Sequence, residues 1–112
     1  MTDPRYKKLA ELLVGYSTEV KAGENVQLNM IDVPDEFTVE LIRSVRKRKA
    51  TPFVQLNHGR ITRELLKGTN KEHADLMKSI EFGNMKKFQS YIAIRGAHNA
   101  NEADDVQSEK NA

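Results

Sequence analysis

The sequence predicts an α/β domain in which a small, mostly parallel sheet has helices packed on it, in the order αβαβααβ. Three observations predict it. Apolar residues recur at spacings of three and four in four stretches, which is helical periodicity. Three short stretches alternate or run apolar in the manner of strands. The two kinds interleave along the chain, and strands separated by helices favour a parallel sheet covered by helices.

Each element has its own signal. Asp3-Pro4 starts the first helix, with Asp as N-cap and Pro at the first helical position. Tyr6, Leu9, Leu12, Leu13 and Tyr16 form its apolar stripe, ending near Ser17. Lys21-Ala-Gly-Glu24 turns the chain, and Val26, Leu28 and Met30 alternate with Gln27 and Asn29 in the first strand. Asp35, after Val33-Pro34, is the candidate cap of a second helix carrying Phe37, Leu41, Ile42 and Val45. Thr51-Pro52 breaks that helix, and Phe53-Val-Gln-Leu56 is the second strand.

His58-Gly59 turns the chain into a short helix with Ile61, Leu65 and Leu66, closed by Gly68. Asn70 is the candidate cap of a fourth helix bearing His73, Leu76, Met77 and Ile80, interrupted at Gly83-Asn84. Phe88 to Ile94 reads as the third strand. After Arg95-Gly96 the apolar periodicity vanishes. Residues 1–96 are therefore expected to form the first part of an α/β domain. Residues 97–112 are expected to be a polar connection or the start of a next helix, with disorder as the alternative. Three strands are few for a parallel sheet, whose strands normally read as continuous apolar runs beneath helices on both faces. The alternation of the first strand marks it as an edge, or as leaning on something outside this chain. The expected domain is incomplete, and no internal repeat is visible.

The 112 residues fit one compact domain, and 38% hydrophobic with 30% charged residues is an ordinary globular composition. The chain has no cysteine, which excludes disulfides, thiolate metal sites and cysteine nucleophiles and suits the cytoplasm. No apolar run approaches the roughly 20 residues that span a bilayer. The net charge of +2 is too small to force a polyanionic partner, but its distribution is uneven. Residues 43–49 hold five bases and no acid, whereas residues 101–112 hold four acids and one lysine.

Candidate chemistry is sparse. The segment RGAHNANEADD, residues 95–105, gathers His98, Glu102, Asp104 and Asp105 without a recognised metal-ligand spacing. A polar loop leading into a helix at Asn101 or Glu102 is the simpler reading, with Asp104 and Asp105 at its positive end. His58 follows a strand, where α/β proteins place functional loops, yet Asn57-His58-Gly59 reads first as a turn. His73 reads as a partly exposed surface residue. Asp32, Asp35 and Glu36 are explained by a turn and a helix cap. There is no nucleophile elbow, dinucleotide fingerprint or phosphate-binding glycine loop. No catalytic, cofactor-binding or metal-ligating residue is assigned.

Arg43, Arg46, Lys47, Arg48 and Lys49 make a second class of function conceivable, a free-standing binding module for an anionic partner such as nucleic acid. Bases at a helix C-terminus are also what the helix dipole favours, and no aromatic platform for single strands lies nearby. On a helix, positions 43, 46, 47 and 50 share a side away from Leu41 and Val45, which reads as a solvated face.

Asp3-Pro4-Arg5, the Leu9 to Ser17 helix ending Leu-Leu-Val-Gly-Tyr-Ser, and Val20-Lys-Ala-Gly-Glu-Asn-Val26 together resemble the opening of the thermophilic-type metalloaminopeptidases, the family of aminopeptidase T and aminopeptidase S. Ala50-Thr-Pro-Phe-Val54 is similar to the family's lead into its second strand, and Ile92-Ala-Ile-Arg-Gly-Ala-His-Asn99 to its third strand and following loop. The likeness runs from residue 1 to about 110, and the order and spacing of the pieces give it its specificity.

The resemblance implies the first part of an N-terminal α/β domain in an enzyme that removes N-terminal residues from peptides. It implies two divalent metal ions of the zinc or cobalt type, held by Glu, His and Asp of a later C-terminal catalytic domain with Tyr and His nearby. It also implies a homodimer whose active sites lie inside an enclosed cavity. None of the metal-holding positions falls within this chain, so no family ligand is carried over and His98 is not promoted to one.

Overall fold

The computed structural model describes residues 3–96 with their side chains and the backbone of 105–110. Helix α1 (Pro4–Glu11) is capped by Asp3, whose side chain accepts from the Arg5 N–H. It continues as a π-helical stretch (Leu12–Ser17), followed by strand β1 (Asn25–Ile31), helix α2 (Asp35–Lys47) and strand β2 (Thr51–Asn57). Helices α3 (Gly59–Lys67) and α4 (Lys71–Met85) lead to β3 (Ser90–Arg95) and then β4 (Asp105–Lys110). The α/β class and the αβαβααβ order are those the sequence predicts.

The sheet order is β2-β1-β3-β4, with β1 parallel to both β2 and β3 and β4 antiparallel to β3. Two expectations are corrected here. The described part of the tail, Asp105–Lys110, is a strand rather than a helix. The outer edge of β3 supplies a complete row of backbone partners for it, which outweighs the weak local preference of Asp-Val-Gln-Ser-Glu-Lys. And β1 is the central strand of the parallel trio, not an edge.

Its alternation has a different cause. Val26, Leu28 and Met30 turn to one face and are essentially fully buried. There they meet Ala10 and Val14 from the first helical segment, Phe37, Leu41 and Val45 from α2, and Ile92 and Ile94 from β3. Tyr6 stacks on Phe37 with ring centroids 5.3 Å apart, tying α1 to α2. Gln27 and Asn29 turn to the opposite face, where α4 lies over the sheet without burying any of its own residues. The core is one-sided.

Three local readings also shift. Pro34, not Asp35, is the N-cap of α2, while Asp35 and Glu36 occupy its first turn, where the helix dipole favours acids. Gly83-Asn84 does not interrupt α4, which runs through to Met85. Ala50 is buried rather than on a solvated side, because α2 ends at Lys47 and the chain turns inward. Asn70 caps α4 as expected, its side chain accepting from the His73 N–H at 2.8 Å.

Candidate functional site

Side chains of chemical interest converge in two places, both set by the parallel trio. The first is the carboxyl edge, where α/β sheets commonly bind ligands. As β1 ends, Asp32 enters the left-handed region at φ 53 and its N–H donates to the Asn57 carbonyl at 3.0 Å. Its carboxylate oxygen Oδ2 accepts from the Gly59 N–H at 3.0 Å, and Oδ1 lies 3.4 Å from His58 Nδ1. From β3, the Gly96 N–H donates to the Ile31 carbonyl at 2.7 Å.

Two glycines make this closeness possible. A Cβ on Gly59 would fall 2.8 Å from Asp32 Oδ2, and one on Gly96 would fall 2.1 Å from the Asp32 carbonyl oxygen. His58 stands at the N-cap of α3 without capping it through its own side chain. Asp32 therefore caps α3 from across the sheet, satisfying one of the donors that a helix start leaves open. An aspartate beside an imidazole is also a familiar way to orient a general base. Here the His58 side chain is 71% exposed, and no group of three His, Cys, Asp or Glu able to hold a metal occurs among the described residues. The geometry accounts for Asp32 and His58 as a device that positions α3.

The second place is the other face of the sheet. In register, Phe53, Gln27 and Tyr91 form one row across β2, β1 and β3, and Gln55, Asn29 and Ala93 form the next. Amides on this face bond diagonally between neighbouring register positions. Gln27 Nε2 donates to Gln55 Oε1 at 3.0 Å, Asn57 Nδ2 to Asn29 Oδ1 at 2.7 Å, and Asn29 Nδ2 to the Tyr91 hydroxyl at 3.4 Å. Between this floor and α4 lies a cavity of about 400 Å³, roofed by Met77, Ile80 and Met85. Sequence reasoning missed the ladder. Its signal was present: Val-Gln-Leu-Asn occurs twice, at 26–29 and 54–57, and places two amides on the same face of neighbouring strands.

The remaining candidates separate. Asp35 and Glu36 stay on α2, away from Asp32's hydrogen bonds. His73 is partly exposed on α4. His98, Glu102 and Asp104 lie outside the described residues, and Asp105 opens β4. Within the basic run, Arg43 pairs with Glu40 at 3.4 Å and Lys47 with Glu11 at 3.8 Å. Arg48 donates from Nε to the Val20 carbonyl. Three of the five bases thus have partners within this chain, Arg43 and Lys47 through exposed ion pairs.

No protein-family model matches the chain. No curated protein matches it either. No described helix is long and apolar enough to cross a membrane.

Proposed function

We propose that this chain is a non-catalytic N-terminal domain segment of a two-metal aminopeptidase, one that walls or gates the cavity in which a C-terminal catalytic domain of the same polypeptide works on peptides. The observation that carries the reading is the ordered set of resemblances, from Asp3-Pro4-Arg5 through Leu9 to Ser17, Val20 to Val26 and Ala50 to Val54 to Ile92 to Asn99. A second observation supports a segment that docks on further polypeptide. Helices α3 and α4 also expose Ile61, Leu65, Leu66, Leu76 and Phe82, apolar groups that an interface with further polypeptide would cover.

Two-metal hydrolysis needs both ions to bind the attacking water and polarise the carbonyl, so the ligand-bearing polypeptide sets the activity. The chain alone is expected to turn over no aminoacyl anilide with zinc or cobalt added; metal-dependent release of the chromophore would overturn the non-catalytic assignment. The reading frame downstream of Ala112 tests the origin. Continuation into a domain carrying Glu, His and Asp ligands supports it, and a stop codon there would overturn it.

A further inference from the structure

The structure assigns to the cavity between the sheet and α4 a binding site for an uncharged, extended peptide segment, read through its backbone amide by Gln27 and Gln55. Gln27 is more than nine-tenths buried, at 9% exposure, yet it lines the cavity rather than the core. Its Nε2 donates to Gln55 Oε1 at 3.0 Å. Among the described residues this leaves Gln27 Oε1 and Gln55 Nε2 with no side-chain partner, an acceptor group and a donor group on adjacent strands. Exchanging the oxygen and nitrogen assignment of both amides leaves the same complement of a donor group and an acceptor group. No buried side-chain polar atom is stranded, so these two atoms are open to solvent, and both glutamines line the cavity.

A secondary amide offers the matching pair, an N–H for one glutamine and a carbonyl for the other. The rest of the lining narrows the choice. Met77, Ile80 and Met85 form an apolar roof that suits aliphatic side chains, and the two thioethers adapt to different shapes. Glu81 is the one charged residue in the lining, which disfavours phosphates and carboxylates. Phe88, at the edge of the lining, packs against Phe53 at a centroid distance of 5.5 Å. The volume of about 400 Å³ lies within the range of small-ligand sites, roughly 300–1,000 Å³. The assignment does not depend on the aminopeptidase reading, since the floor is built wholly from this chain.

The test is a titration of the full 112-residue chain, labelled with ¹⁵N and with ¹³C at the methionine methyls. The probe is the capped peptide acetyl-Leu-Ala-Leu-methylamide, alongside an analogue N-methylated at every backbone amide. Saturable shifts of the Gln27 and Gln55 side-chain amides and the Met77 and Met85 methyls are expected for the first peptide and not for the second. Gln55→Leu on the edge strand is expected to weaken binding about three- to tenfold, the loss of one hydrogen bond, while the thermal melt stays cooperative. Gln27→Leu is expected to do the same; if it fails to fold, Gln55→Leu decides alone. Absence of saturable shifts at these four residues, equal binding of the N-methylated analogue, or unchanged affinity in folded Gln55→Leu would each overturn the assignment.

Discussion

Lys49 occupies the left-handed region at φ 61, a position that helices usually give to glycine. Beyond the end of α2, the Ala50 N–H donates to the Val45 carbonyl at 3.2 Å and the Lys49 N–H to the Arg46 carbonyl at 2.9 Å. Together these are the paired bonds of a Schellman turn. A side chain at that φ carries a steric cost of about 1–2 kcal/mol that glycine escapes. Lys49→Gly is therefore expected to stabilise the domain, by somewhat less than that cost because glycine also gains freedom in the unfolded chain. Chemical denaturation with an unchanged slope is the measurement, and a lower midpoint would contradict it. Asp3 offers a pH-dependent counterpart. The Arg5 guanidinium, then the Arg5 N–H, hold its carboxyl below the usual aspartate value. A depressed native pKa means the contribution is full above the ordinary aspartate range and fades as the pH falls through the native value. Asp3→Asn keeps an acceptor for the Arg5 N–H but removes the titration. The helical signal of the native chain should then fall on acidification by more than that of the variant. Equal acid profiles would show that the pair contributes nothing to α1.

At the scale of elements, the helices divide into two classes. Helices α1 and α2 bury side chains in the core, whereas α3 and α4 bury none. Stability against local opening follows burial, so amide exchange should be fastest in Gly59–Lys67 and Lys71–Met85 and slowest in β1 and β3. Uniform protection of α4 and β1 would refute this. The same division explains what the sequence revealed. Helix starts at Asp3-Pro4 and Asn70 were legible because capping is a local interaction between a side chain and an amide two or three residues on. The place of β1 in the sheet was not legible. Alternation reports that one face is polar, and a central strand with α4 held off its second face satisfies that as well as an edge does. The Asp32–His58 contact was hidden for a related reason. It joins residues 26 apart in sequence through the parallel pairing of β1 and β2, which no local pattern encodes.

For the whole molecule, the division becomes a claim about where the folding energy resides. Because the core is one-sided, truncation between α2 and the sheet should cost far more than truncation on α4, although both remove large apolar groups. Leu41 is fully buried, and Leu41→Ala is expected to cost about 2–5 kcal/mol through lost transfer energy and the cavity left behind. Phe82 is 62% exposed on α4, and Phe82→Ser should change stability by no more than about 0.5 kcal/mol while reducing the binding of an apolar dye. Equilibrium unfolding of the two variants against the parent chain measures the contrast. A large loss for Phe82→Ser at low protein concentration would place α4 firmly on the sheet in solution and make the core two-sided. A loss that appears only at high concentration would instead locate Phe82 in a contact between chains, since mass action makes such stabilisation depend on protomer concentration.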